Sequence, residues 1–243
     1  HRDLHSFPTR RSSDLGIKDH SNLRKQRIIM SLCAIIPVKP LRRGKSRLAG
    51  ILTSSQREVL NEYLLGSVLD CLKTIELIDH IIVISYDPAA LSFARKYGAY
   101  TVLENRNTNI NRALRRATMA AMAYGATKLL ILPADLPLVT ETDIREFLAL
   151  EEEPPLMAIA PDRKMFGTNA MLINPLGAIK YNYGEWSFRK HIEQAERKGI
   201  KVKILQNKNI SFDLDIPDDW ELLKSYNLEK KQQIDQLFQE VTT

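Results

Sequence analysis

From Cys33 onward the chain alternates short, mostly apolar runs with longer segments of helical period, and that alternation admits few folds. Runs at residues 33–38, 80–85, 100–103 and 128–132 are too short for helices and carry no polar face, as befits strands covered on both sides. The segments between them place apolar residues at helical spacing, so each strand–helix–strand step forms a right-handed crossover in a mostly parallel sheet. Further runs at 156–160, 170–173, 202–205 and 212–216 add strands. Helices are expected over about 55–74, from Pro88, from about Asn111, over 187–198 with Gly199 at its end, and from Pro217. Ser55, with Glu58 three residues on, reads as a capping box for the first of them. The fold class is α/β, with helices on both faces of a mostly parallel, mixed sheet.

A chain of 243 residues, 44% hydrophobic, can bury one sizeable core and falls short of two independent domains. No internal repeat or linker divides it. The formal charge of +6 suggests nucleic acid until it is divided: residues 1–27 hold seven Lys or Arg against three Asp, leaving +2 for the rest. No duplex-binding surface follows from that balance. The opening HRDLHSFPTRRSSDL has no period and resembles a translated sequencing adapter, and Met30 stands just before the first apolar run. Residues 1–29 are therefore read as a non-native or disordered extension, residues 30–227 as the domain, and 228–243 as a charged helical tail. Ile234, Leu237 and Phe238 on that tail are candidates for a homodimer face. Two cysteines, both in apolar settings, give neither a disulfide framework nor a thiolate metal site, and no apolar run approaches the ~20 residues of a membrane span. A soluble protein in a reducing cytoplasm is expected.

In open α/β sheets ligands bind beyond the carboxyl ends of the strands, so the informative residues should follow strands. Three constellations do. After the first run comes Pro-Val-Lys-Pro-Leu-Arg-Arg-Gly-Lys-Ser-Arg-Leu, residues 37–48. In this loop Lys39, Lys45 and Arg47 are placed to meet a polyphosphate, while Arg42 and Arg43 read as solvated charges. After residues 128–132 comes Pro133-Ala134-Asp135-Leu136-Pro137, which holds a carboxylate between two prolines. Asp135 is there a candidate Mg2+ ligand, with a turn aspartate as the competing reading. Finally, Phe212-Asp213-Leu214-Asp215-Ile216 alternates, so a strand would put Asp213 and Asp215 on one face, where two like charges call for a cation. Asp215 could instead cap the helix at Pro217, whose dipole Asp218 and Asp219 would complement.

Carboxylates facing a basic loop suit phosphoryl chemistry. Two unit charges about 4 Å apart repel by about 4 kcal/mol at an effective dielectric of 20, so attack of one phosphate on another needs metal ions and fixed cations. An attacking phosphate is already an anion, which removes the need for a protein base or nucleophile.

Taken together, residues 37–41 and 45–48, Leu132 to Pro137, Gly167-Thr168-Asn169-Ala170, Ser187-Phe188-Arg189-Lys190-His191 and Asp213-Leu214-Asp215 resemble the 2-phospho-L-lactate guanylyltransferase family, phosphoenolpyruvate variants included. The likeness covers about residues 33–223. It implies a Rossmann-like nucleotidyltransferase fold of the nucleotide-diphospho-sugar transferase kind. The activity implied is transfer of GMP from GTP to a small phosphorylated acid (2-phospho-L-lactate, phosphoenolpyruvate or 3-phosphoglycerate), on the way to coenzyme F-420. It implies Mg2+ on Asp135, Asp213 and Asp215; catalytic roles for Asp135, Lys39 and Lys45; and nucleotide contacts from Lys39, Lys45, Arg47, Ala134 and Asn111. Thr168, Gly184 and Ser187 would hold the acceptor's phosphate. An N-cap role competes for both Asn111 and Ser187. The sequence departs from the family at Lys164-Met165-Phe166, at Asn109-Ile110, at Tyr183-Gly184-Glu185-Trp186 and at Ile216, where a helix-capping Thr is usual. The alternatives are a molybdopterin or sugar-phosphate nucleotidyltransferase, for which the first loop has only one glycine, and a noncatalytic nucleotide- or nucleic-acid-binding module.

Overall fold

A computed structural model describes residues 31–106 and 109–242; the expectations for the N-terminal extension and for Met30 lie outside them. Strands β1 (Leu32–Pro37), β2 (His80–Ser85), β3 (Tyr100–Leu103), β4 (Lys128–Ile131), β5 (Leu156–Pro161), β6 (Thr168–Asn174) and β7 (Lys201–Ile204) form one sheet in the order β3-β2-β1-β4-β6-β5-β7. All the pairings are parallel except those of β6, which runs against both β4 and β5.

Side-chain alternation along the strands makes two cores. In β1, Ala34 and Ile36 point to the face covered by α1 (Ser54–Lys73), α2 (Pro88–Lys96) and α4 (Glu141–Leu148), where Leu65, Leu69, Leu91 and Phe147 meet them. Cys33 and Ile35 point to the other face, covered by α3 (Ile110–Ala123) and α5 (Ser187–Arg197) through Leu114, Ala117, Phe188 and Ala195. Both faces are dry, so the runs read as continuous apolar segments. Burial pushes the Cys33 thiol up to about 12, with Asp79 adding to it.

Three expectations need correction. The capping box of α1 is formed by Thr53 and Gln56, not Ser55 and Glu58: Gln56 N–H donates to Thr53 Oγ1 at 3.2 Å, and Thr53 N–H donates to Gln56 Oε1 at 2.9 Å. The same hydroxyl-x-x-acid/amide spacing occurs in overlapping registers, and the earlier one is used. Residues 212–216 pair with no strand; they are extended but make a single ladder-like bond, Leu214 N–H to the Asp135 carbonyl at 3.2 Å. Their alternation serves a third core instead, where Phe212 and Leu214 pack with Leu60 and Leu64 of α1, Trp220 and Leu223 of α6 (Pro217–Tyr226), and Ile234 and Phe238 of α7 (Leu228–Thr242). The tail residues Ile234 and Phe238 are thus internal, with Phe238 stacked on Trp220 at 5.6 Å, and are not a homodimer face. Among the described residues no helix is long and apolar enough to cross a membrane.

Candidate active site

The strand order turns between β1 and β4, and a cleft of ≈ 300 Å³ opens there beyond the strand ends. Residues following β1 (Val38, Lys39), β2 (Tyr86), β3 (Glu104) and β4 (Ala134, Asp135) line it, with Ile110 and Ala113 of α3 beside them.

The basic loop is built, not draped. Asp87, the N-cap of α2, accepts from Leu41 N–H at 2.9 Å, and Asn61 of α1 donates to the Leu41 carbonyl at 2.6 Å. Gly44 N–H closes the turn on the Pro40 carbonyl at 2.6 Å. A Cβ at Gly44 would stand 2.7 Å from the Asn61 amide nitrogen, so a side chain there would push away the amide that holds Leu41. Lys45 then enters the left-handed region at φ 54°, unusual for a residue with a side chain. That twist aims the lysine inward: its Nζ donates to Asp135 Oδ2 and to Asp215 Oδ1, each at 2.8 Å, and its side chain is 5% exposed. Arg42, by contrast, lies on the surface and pairs with Glu58.

Electrostatics follow from this geometry. Burial opposes a charged Lys45, yet Asp135 and Asp215 outweigh it and hold the ammonium above its ordinary pKa. Burial likewise disfavours ionised Asp215, but Lys45, with help from Lys39 and Arg47, holds its pKa down. Asp213 is pushed up to about 6, first by burial and then by the negative charge of Asp135 and Asp215.

The three expected acidic residues are therefore neighbours, but Lys45 pairs two of them. No group of three or more His, Cys, Asp or Glu is disposed to hold a metal ion among the described residues. The two joined through Lys45 are Asp135 and Asp215. Asp215 does not cap α6. Asp219 does that work: its Oδ2 accepts from the N–H groups of both Asp215 and Ile216, at 2.8 and 2.9 Å, while Oδ1 pairs with Arg163. Asp219 is thus more than a first-turn acid; it clasps the turn that carries Asp215.

Lys39 is exposed and lines the cleft, as does Ala134; Arg47 is exposed on the short 3-10 turn Ser46–Leu48. Asn111 is neither an N-cap nor part of the cleft wall. Asn109 caps α3, and both ends of the Asn111 amide are spent on Tyr183: Nδ2–H donates to its carbonyl at 3.1 Å, and its N–H donates to Oδ1 at 2.7 Å. Those two bonds clamp the turn preceding Gly184. Ser187 is likewise not the N-cap of α5, which is Trp186; it stands one position in, and its hydroxyl donates to Thr168 Oγ1 at 3.2 Å. Gly184 has φ 124°, a conformation suited to glycine. Because β6 runs backwards, Thr168 at its start lies at the same sheet edge as the end of β4, given the pairing of Ile131 with Met171.

Sequence reasoning missed Tyr86 and Glu104. Each follows a strand, which is the available signal, but no cluster of charge or glycine singled them out.

Comparison with known proteins agrees with this layout. Solved structures with the same fold include a Desulfovibrio desulfuricans protein described as a candidate nucleotide-diphospho-sugar transferase (TM-score 0.66, 15% identity, 87% of this chain and 98% of that one). Another is a nucleotidyl transferase from Methanothermobacter thermautotroptrophicus (TM-score 0.60, 11% identity, 82% and 98%). In sequence, the phosphoenolpyruvate guanylyltransferase of Rubrobacter xylanophilus is 40% identical over 190 residues, 78% of this chain and 92% of that protein. The 2-phospho-L-lactate guanylyltransferase of Methanobrevibacter smithii is 31% identical over 185 residues, 76% and 80%. Residues 32–233, which span the cleft, the basic loop and the turn held by Asp219, match the family described as "Guanylyl transferase CofC like", so the chain belongs to that family and is a nucleotidyltransferase enzyme.

Proposed function

We propose that this enzyme joins GMP from GTP to the phosphate of a small phosphorylated carboxylic acid, releasing pyrophosphate. The observation that carries the reading is the inward-twisted Lys45 between Asp135 and Asp215 at the cleft. It puts fixed positive and negative charge side by side where strands β1 and β4 diverge.

The apolar wall of Val38, Ile84, Ile110 and Ala113 suits a purine, and Glu104 brings to the same wall a carboxylate matched to guanine's ring N–H and exocyclic amine. Lys39 and Lys45 would bind the phosphates, on a loop kept in place by Asp87 and Asn61. Asp135 and Asp215 suit Mg2+, which takes one or two carboxylates and fills its remaining positions with water and phosphate oxygens. Their side chains are 30% and 35% exposed, so each keeps open access. When bound, Mg2+ supplies charge neutralisation for the triphosphate and for the departing pyrophosphate. In the reaction an oxygen of the acceptor's phosphate bonds to the α-phosphorus of GTP. The bond from that phosphorus to the αβ-bridging oxygen breaks, and its electron pair leaves with pyrophosphate. The attacking oxygen carries no proton to remove, so no histidine is required among the described residues that line the cleft, and none is found there.

Thr168, Ser187 and Gly184 would receive the acceptor. The higher identity to the Rubrobacter enzyme makes phosphoenolpyruvate the first acceptor to test, ahead of 2-phospho-L-lactate and 3-phosphoglycerate. With either of the first two, the product is a disubstituted diphosphate, a P–O–P anhydride of the kind used to build coenzyme F-420. Pyrophosphate release with GTP and Mg2+, against each acceptor in turn, is the test. Asp135→Asn should lower turnover on the order of 100-fold or more, and chelation of Mg2+ should stop it. Wild-type turnover by the variant would remove Asp135 from the mechanism.

A further inference from the structure

Behind the acceptor hydroxyls lies a histidine that the proposed chemistry does not use. His191 of α5 is fully buried. Its Nε2 accepts the backbone N–H of Asn182 at 3.0 Å, and its Nδ1 lies 3.1 Å from Thr168 Oγ1. A backbone N–H can only donate, so Nε2 must be the bare nitrogen and the proton of the neutral ring sits on Nδ1. Nδ1–H therefore donates to Thr168 Oγ1, as does the Ser187 hydroxyl at 3.2 Å. A hydroxyl oxygen has two lone pairs, and both are then occupied. The Thr168 proton is left to donate outward.

We propose that His191 is a positioning residue: by fixing its tautomer through Asn182, it polarises Thr168 so that this hydroxyl can only donate, and thereby selects an oxyanion at the acceptor site. The inference rests on the reading of Thr168 as a receiver of the acceptor's phosphate. Without the histidine's N–H, the Thr168 hydroxyl could turn and either donate or accept, and its preference for an anion would fall. Tyr183, whose ring lies edge-on to His191 at 5.0 Å, keeps the imidazole in place, and the Asn111 clamp holds Tyr183 in turn. Groups from four elements, β6, α3, α5 and the turn before α5, thus hold this arrangement together.

The test uses two amides that imitate different nitrogens of the ring. Asparagine places its N–H near Nδ1 and glutamine near Nε2. With GTP, Mg2+ and phosphoenolpyruvate, His191→Gln should raise the KM for phosphoenolpyruvate about tenfold or more, as expected for a lost hydrogen bond to a charged group. The KM for GTP should stay within about twofold. His191→Asn should return the acceptor KM to within about threefold of wild type. Thr168→Val serves as the reference: if it leaves the acceptor KM unchanged, the acceptor-site reading fails and takes this inference with it. If Thr168→Val weakens the acceptor and His191→Gln does not, the inference alone is overturned. Equal losses for both substrates in both histidine variants would make the residue merely structural. Nitrogen NMR of the wild-type protein decides the matter even where a variant does not fold, since a buried imidazole protonated on Nε2 contradicts the proposal.

Discussion

Lys45 concentrates the argument at the scale of single residues. Its left-handed backbone costs of order 1–3 kcal/mol, a cost the loop bears in order to set one ammonium between two carboxylates. Lys45→Met should therefore cut turnover on the order of 100-fold in the pyrophosphate assay. Chemical denaturation of the same variant should show a change within about 3 kcal/mol, because the carboxylates it abandons remain partly open to water. A variant with full turnover would free the site of its central cation. His191 offers a different measurement. Burial, with Lys190 assisting, lowers its pKa from 6.5 to about 4, so the folded protein keeps the ring neutral where the unfolded chain protonates it. Its contribution is whole above pH 6.5 and is lost as pH falls toward 4, on the order of 3 kcal/mol in all. Asp213 acts in the opposite sense: its raised pKa lets the folded state take up a proton first, so stability is regained as pH falls from about 6 toward 3.8. The stability difference between wild type and His191→Asn, followed by urea unfolding across pH 4–7, isolates the histidine, and a difference independent of pH would contradict this assignment.

Among the elements, the extended segment 212–216 best separates what could be read from what could not. Its alternation was legible, and Phe212 and Leu214 do face inward while Asp213 and Asp215 face the site. The missing ladder was not legible, because alternation reports one buried face and says nothing of hydrogen-bond partners. Those partners come from elsewhere: the Asp135 carbonyl on one side and the Asp219 carboxylate on the other. Asp219→Ala should strand two backbone N–H groups and the Arg163 guanidinium, costing about 1–3 kcal/mol in thermal or urea unfolding. Turnover should fall further than stability alone explains, since the freed turn carries Asp215. Equal activity would show that the clasp is unnecessary. The short helix α4 escaped sequence reading for a related reason: its box pairs Thr140 with Asp143 instead of the usual Glu or Gln, and Asp143 is further committed to Asn207 and Asn209.

For the whole molecule, the sheet class and a set of carboxylates facing a basic loop beyond the strand ends followed from runs and spacing; the β1–β4 cleft came with the strand order. What escaped was long-range bookkeeping: the amide of Asn111 spent on a turn 72 residues away, and a tail whose apolar positions fill a core. Residues 228–243 should therefore behave as part of the fold. Removing them strips Ile234 and Phe238 from Trp220 and Leu60, and burial of two such side chains is worth about 3–6 kcal/mol. A truncated protein should melt lower and aggregate, as calorimetry and light scattering would reveal; unchanged melting would mark the tail as an appendage. Removing residues 1–29, by contrast, should leave GTP-dependent turnover intact, and its loss would revive a role for that basic segment.

The reversed course of β6 has one last effect. It brings Thr168 to the working edge as the first residue of a strand, whereas the donor-side groups arrive there as last residues or in the loops that follow. The turn ahead of Thr168 and the one ahead of Ser187 can thus be lengthened, shortened or re-lettered without disturbing the glycine-pinned lysine hairpin. On the proposed reaction, one scaffold would in this way trade one small acid for another while its grip on the nucleotide stayed put.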